Sequence, residues 1–70
     1  MGSEKKPLRA RLTPREDAVL SHLVTGASNP DIAAKLQCSV RTVEFHVSNI
    51  LRKAGETSRI GLIVKALRDK

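Results

Sequence analysis

The stretch from Ser39 to Ala54 carries the side chains best suited to recognition chemistry. Charged, hydroxyl and aromatic side chains recur on one face of this stretch at the spacing of an α-helix: Arg41, Glu44, Phe45, Ser48 and Arg52. Phe45 is the only aromatic residue of the chain, and a large apolar ring displayed among polar groups needs a partner. A helix that offers Arg, Ser and one apolar contact suits the major groove of DNA.

The opposite face of the same stretch predicts burial against neighbouring elements. Its apolar residues also follow helical spacing: Val43, Val47, Ile50, Leu51 and Ala54. We therefore expect one helix with a core face and a recognition face.

The charge balance favours a polyanionic partner. Thirteen Lys and Arg against seven Asp and Glu give a net charge of +6. Residues 1–12, 32–59 and 60–70 each hold an excess of bases, whereas residues 13–31 hold one base and three acids. This placement predicts a phosphate-contacting surface on the N-terminal tail and the later helices. A merely solvated cationic surface is the alternative.

Catalytic and metal chemistry are not indicated. His22, His46 and Cys38 lack metal-ligand spacing, and neither paired carboxylates nor a Gly-rich phosphate loop is present. Seventy residues allow one small domain. We expect a non-enzymatic domain without cofactor or small-molecule ligand. The lone cysteine and the lack of a long apolar run predict a cytoplasmic protein with no membrane partner.

Two helices are predicted from their N-terminal signals. Thr13 and Glu16 form a capping box around Pro14, which suits the first helical position. Ser28 and Asp31 form a second, weaker box and start a short helix.

The third and fourth helices follow closely. Only three residues, 37–39, separate the second helix from the third, which indicates a helix-turn-helix, although the turn lacks the glycine such turns often contain. Gly55 is placed to end the third helix, and Thr57 or Ser58 to cap a fourth. The inward residues predicted for the fourth helix are Leu62, Ile63, Ala66 and Leu67. The predicted fold is an all-α four-helix bundle with a helix-turn-helix and no wing.

The domain is predicted to span residues 12–70. Charge and Pro7 predict that residues 1–11 form a flexible basic arm. The alternative is a cloning remnant, because the Met1-Gly2-Ser3 start has no structural logic of its own.

A series of residues from Leu12 to about Leu67 matches a known pattern. Its members are Leu12 to Glu16, Gly26 to Asn29, Ile32-Ala33, Leu36, Thr42-Val43, His46 to Leu51, Lys53 and Ser58-Arg59. In this combination they resemble the DNA-binding domain of the LuxR family, the four-helix module that ends many bacterial transcription regulators. The resemblance implies a sequence-specific binder of double-stranded DNA, usually dimeric, whose third helix enters the major groove.

The resemblance implies base-reading positions at Glu44, Phe45 and Ser48. Glu44 can accept from a cytosine amino group, Phe45 can meet a thymine methyl, and Ser48 has little selectivity. None of these residues forms a bidentate contact with guanine, so Arg41 or Arg52 must supply any such contact. We therefore expect modest direct readout, with affinity carried by phosphates.

The resemblance also implies contacts with the DNA backbone. The positions are Asn29, Thr42, His46, Asn49, Arg52 and Lys53. Several of the proposed contacts have simpler alternatives. These are an ion pair of Glu44 with Arg41 or with a nearby Lys, a Phe45 ring folded back beside helix two, and Thr42 as a helix-start hydroxyl. The others are a buried hydrogen-bonded His46, and Arg52 and Lys53 as a solvated helix end.

Ile60 and Val64 are apolar yet lie outside the predicted inward set of the fourth helix. In the LuxR family this helix commonly builds the dimer, so the resemblance implies a homodimer interface at these two residues. The alternative is that they widen the core stripe.

Two functions follow from these observations. The first is sequence-specific DNA binding as the output domain of a bacterial transcription regulator, with two half-sites about one helical turn apart. The second is a helical protein-interaction module that uses Phe45 as a hydrophobic anchor.

Overall fold

The computed structural model describes residues 7–68, and within them four α-helices follow one short 3-10 helix. The 3-10 helix is Leu8–Arg11, and the α-helices are α1 (Pro14–Leu23), α2 (Asn29–Leu36), α3 (Val40–Ala54) and α4 (Arg59–Arg68). No strand occurs in this part of the chain. The predicted all-α fold is confirmed.

Two capping boxes start α1 and α2, as predicted. The Thr13 hydroxyl accepts from the Glu16 amide at 3.1 Å, and the Glu16 carboxylate accepts from the Thr13 amide at 3.0 Å. Ser28 and Asp31 exchange the equivalent bonds at 3.2 and 3.5 Å. Each box satisfies amides that the first helical turn leaves without partners.

The turn between α2 and α3 uses a non-glycine residue in the left-handed region. Gln37 ends α2 with φ 56° and ψ 49°, a conformation that costs an L-residue energy and that glycine adopts freely. Ser39 then caps α3 by accepting from the Thr42 amide at 3.1 Å. Gly55 (φ 72°) ends α3 where the sequence predicts.

The core lies where α1, α2 and α4 meet the inner face of α3. Its largest fully buried side chains are Leu8, Val19, Leu20, Leu23, Ile32, Val43, Ile50 and Leu62. The predicted inner face of α3 is confirmed at Val43, Val47, Ile50 and Ala54, while Leu51 packs only partly against the core. Cys38 is half-buried at the edge of the same core.

One inward residue predicted for α4 is wrong. Ser58, whose hydroxyl accepts from the Gly61 amide at 3.0 Å, caps the helix, and Leu62 and Ala66 are buried as expected. Leu67, however, is 53% exposed. At 3.6 residues per turn it lies roughly 140° around the helix from Leu62, on the face that carries Ile60.

The N-terminal boundary also differs from the prediction. The flexible arm expected over residues 1–11 is wrong for Leu8–Arg11, because these residues form a 3-10 helix and Leu8 is only 1% exposed in the core. The Arg9 guanidinium pairs with Asp17 and donates to the Ser21 hydroxyl at 3.1 Å. Residues 1–6 lie outside the described residues.

No helix between residues 7 and 68 has the length and apolar content needed to cross a membrane.

Candidate nucleic-acid interface

The outer face of α3 is exposed along its length. The five side chains that the sequence assigns to this face are all exposed: Arg41, Glu44, Phe45, Ser48 and Arg52. The two-faced character of α3 is confirmed, because the buried residues of the same helix lie on the other side. The helix thus presents a row with cationic, anionic, hydroxyl and aromatic groups. We call this row the outer row.

Phe45 projects from the outer row into solvent. The side chain is 62% exposed, which is too open for a ring seated in a protein groove, so the alternative of a ring folded back beside α2 is wrong. Its ring centroid lies 5.9 Å from that of His46, with the planes tilted by 57°. Phe45 is therefore available to a ligand.

Glu44 does not form the predicted alternative ion pair with Arg41. Within residues 7–68, the ion pairs join Arg9 to Asp17 and Lys53 to Glu16. The Glu44 carboxylate thus keeps its acceptor capacity for a donor outside the domain. Its negative charge also makes this point of the outer row unfavourable for a phosphate.

Three of the predicted backbone-contact residues are engaged within α3. The Thr42 hydroxyl lies 3.0 Å from the Ser39 hydroxyl, whose oxygen also accepts from the Thr42 amide. Thr42 therefore takes part in the start of the helix. Arg52 donates to the Asn49 side-chain carbonyl at 2.7 Å. These two residues, both predicted to contact the DNA backbone, are therefore bonded to each other on the surface of α3.

The Lys53 side chain is directed from α3 toward α1 and not toward solvent. Its ammonium donates to Glu16 Oε1 at 2.7 Å, and Glu16 is buried. The alternative of a solvated helix end is therefore wrong for Lys53. Burial raises the pKa of the Glu16 carboxyl, but the hydrogen bonds from Lys53 and the Thr13 amide, with the Lys53 charge, outweigh it and hold that pKa below its ordinary value.

His46 is half-buried beneath the outer row. Its Nδ1 atom is buried and has no hydrogen-bond partner within residues 7–68. The predicted alternative of a buried, hydrogen-bonded histidine is thus not found at this nitrogen.

Asn29, the first residue of α2, is held by Arg59, a residue to which the sequence alone assigns no role. Arg59 donates through Nη1 to Asn29 Oδ1 at 2.8 Å and through Nη2 to the Ala27 carbonyl at 3.0 Å. Asn29, Arg59 and Glu44 line one surface groove. Asn29 therefore lies on the side of the domain that carries part of the outer row.

The exposed face of α4 is apolar. Ile60 is 75%, Val64 46% and Leu67 53% exposed, and their spacing places them along one side of the helix. The alternative that Ile60 and Val64 widen the core stripe is therefore wrong. We call these three residues the α4 stripe.

Comparison with known proteins decides the family. The model of the luxR family of bacterial regulatory proteins matches residues 10–66. The chain belongs to the LuxR family. The predicted resemblance is confirmed, and the match runs from within the 3-10 helix through α1, α2 and α3 into the last turns of α4.

Several relatives of this LuxR-family domain are regulators by name. Response regulator Rre1 of Synechocystis sp. is 44% identical over 62 residues, 89% of this chain and 27% of the relative. The nitrate/nitrite response regulator protein NarP of Escherichia coli is 39% identical over 69 residues, 99% of this chain and 32% of the relative. A putative HTH-type transcriptional regulator of Mycobacterium bovis is 41% identical over 69 residues, 96% of this chain and 8% of the relative.

The LuxR-family domain thus spans less than a third of the length of each of these relatives. No solved structure matches the chain significantly.

Proposed function

We propose that this LuxR-family domain binds double-stranded DNA sequence-specifically, with α3 in the major groove. The observation that carries the proposal is the outer row, exposed on a helix whose other face is buried and which follows α2 after a tight turn. In a helix-turn-helix, the second helix reads base edges while the first crosses the phosphate backbone.

The side chains of the outer row suit a narrow readout. Glu44 accepts from a cytosine amino group, Phe45 contacts a thymine methyl, and Arg41 supplies the bidentate donors that guanine requires. Ser48 adds a contact with little selectivity. Phosphate contacts from basic and amide groups near this row carry most of the affinity.

The α4 stripe supports a homodimer. An exposed apolar face on a short helix is covered when a second copy packs the same face against it, and such a two-fold interface uses one patch on both copies. Two copies then place two α3 helices on half-sites about one helical turn apart. Leu67 extends the interface beyond the two residues that the sequence indicates.

The names of the relatives support a role in transcription regulation. Relatives called response regulators contain this domain as less than a third of their length. We infer that the domain serves as the DNA-binding output part of a bacterial transcription regulator.

A protein-interaction module remains the second candidate, and the exposure of Phe45 is the observation that favours it. In that case the ring anchors a partner protein rather than a base step.

Selection of bound sequences from a random duplex pool tests the proposal. We expect enrichment of a site with two half-sites, and with six to ten phosphate contacts an affinity that falls about 10³- to 10⁵-fold between about 50 and 200 mM salt. Failure to enrich any sequence, or an affinity that does not change with salt, would overturn DNA binding and favour the interaction module.

A further inference from the structure

We propose that Arg59 is a positioning residue that aims the amide group of Asn29 at a DNA phosphate. This inference rests on the proposed DNA binding and names a residue that acts through another. The Arg59 guanidinium bridges two acceptors near the start of α2, Asn29 Oδ1 at 2.8 Å and the Ala27 carbonyl at 3.0 Å.

The bridge depends on the shape of the arginine side chain. A guanidinium holds its N–H groups in a rigid planar fork and reaches two acceptors at once, whereas the ammonium of lysine is a single point donor. Among the described residues, Arg59 forms no ion pair with a carboxylate. Its charge therefore strengthens the bonds to two neutral oxygens.

The bridge fixes which way the Asn29 side chain points. A guanidinium has only donors, so the atom of Asn29 that it meets is the carbonyl oxygen and not the amide nitrogen. The Nδ2 group must then point away from Arg59, and it donates to no other atom of residues 7–68. Two N–H donors are thus presented in a fixed orientation.

The position of Asn29 makes a phosphate the fitting acceptor. Asn29 lies at the first position of α2, on the side of the domain that carries the outer row. When α3 lies in the major groove, the start of the preceding helix faces the flanking backbone strand. Side-chain amides are regular donors to phosphate oxygens, and such contacts fix the register of a protein on DNA.

The same bridge joins α2 to the helix that bears the α4 stripe. Arg59 is the first residue of α4 and precedes Ile60, the most exposed residue of the stripe. The placement of α4 in a dimer and the orientation of Asn29 on each half-site are therefore linked through one side chain.

The test is a double-mutant cycle on the 70-residue chain, with a duplex recovered from the random pool as the probe. R59M and N29A should each weaken binding about three- to tenfold, the loss expected for one hydrogen bond, and the double variant should be no weaker than either. R59K should not restore affinity, because lysine cannot bridge both acceptors. R15M, which removes an exposed charge from α1, outside the segments with an excess of bases, is the matched control and should bind like the original chain.

The dependence of affinity on salt separates positioning from direct contact. A neutral amide releases no counterion, so R59M should leave the slope of log K against log salt unchanged. A slope reduced by about 0.9 would show that Arg59 itself contacts a phosphate and would overturn the inference. Thermal melting followed by circular dichroism identifies a temperature at which every variant is folded, and binding is measured there. If R59M is unfolded at every temperature, R59K takes its place in the double-mutant cycle with N29A.

Other outcomes are equally decisive. Losses of R59M and N29A that add, or R59K with unchanged affinity, overturn the role of Arg59 while the proposed function stands. If the original chain binds no duplex, the proposed function fails first.

Discussion

The ammonium of Lys53, near the end of α3, lies 2.7 Å from Oε1 of Glu16 in the first turn of α1. The same oxygen accepts from the Thr13 amide at 3.0 Å. The capping box of α1 and the last turn of α3 thus share a single carboxylate oxygen. This arrangement fixes the C-terminal part of the outer row relative to α1.

We predict that K53M destabilises the domain by about 1–3 kcal/mol, because it leaves a buried carboxylate without its strongest donor. The salt dependence of DNA binding should stay the same, since Lys53 is directed at Glu16. Urea denaturation measures the first effect and binding titrations at several salt concentrations the second. A variant with unchanged stability and a shallower salt slope would instead identify Lys53 as a phosphate contact.

The lowered pKa of Glu16 predicts a loss of stability in acid. The folded state holds the pKa of this carboxyl below its ordinary value of 4.5. The ionised carboxylate therefore contributes its full stabilisation above about pH 4.5, and this stabilisation is lost as the pH falls through the lowered pKa of the folded state. E16Q should have a flatter profile of unfolding free energy between about pH 5 and 2 than the original chain. Parallel profiles for the two proteins would contradict the role of this carboxylate.

Gln37 predicts a stabilising substitution. Its φ of 56° is strained for an L-residue, and Q37G should raise the free energy of unfolding by about 0.5–1 kcal/mol, after the extra entropy of glycine in the unfolded chain is taken into account. Q37A, which removes the side chain and keeps the strain, is the control and should bring no gain. Thermal melting of the three proteins measures both effects, and equal gains would contradict the backbone explanation.

Phe45 distinguishes the two candidate functions. F45A should leave stability within about 0.5 kcal/mol, because the ring is mostly exposed. If Phe45 contacts a thymine methyl, the original chain should bind a duplex with thymine at that position about fourfold more tightly than one with uracil, and F45A should lose this preference. Fourfold in affinity corresponds to the roughly 0.8 kcal/mol expected for one buried methyl group. Unchanged DNA selectivity together with loss of a protein partner would favour the interaction module.

The α4 stripe predicts how the dimer can be broken. V64E places two like charges in one two-fold interface and should weaken dimer formation about tenfold or more on a duplex with both half-sites. The fold should be retained because Val64 is partly exposed. A10E adds the same charge at an exposed position of the 3-10 helix and serves as the control. Sedimentation of each protein with the duplex measures the stoichiometry, and equal behaviour would place the dimer elsewhere.

Local signals predicted most of the fold. Capping boxes and the two faces of α3 depend on residues within a few positions of each other, so the spacing of Thr13 and Glu16 or of Val43 and Val47 is sufficient to recognise them. The exposed outer row follows from the same periodicity.

The remaining features depend on distant parts of the chain. The bonds of Lys53 with Glu16 and of Arg59 with Asn29 span 37 and 30 residues, and nothing in the local pattern pairs them. Leu8 lies among charged residues and has no apolar residue at helical spacing before Leu12, so the local sequence did not indicate that it is buried. The sequence therefore indicated which groups are present and left their orientation to the tertiary structure.

The burial of Leu8 has a mechanical consequence. The 3-10 helix packs against α3, while Arg9 bonds to Asp17 and Ser21 of α1. The path of the chain at its entry into the domain is therefore fixed relative to the helix proposed to read DNA. A force or a torque applied to the chain before Pro7 would be transmitted directly to α3, because a packed 3-10 helix connects Pro7 with the helices.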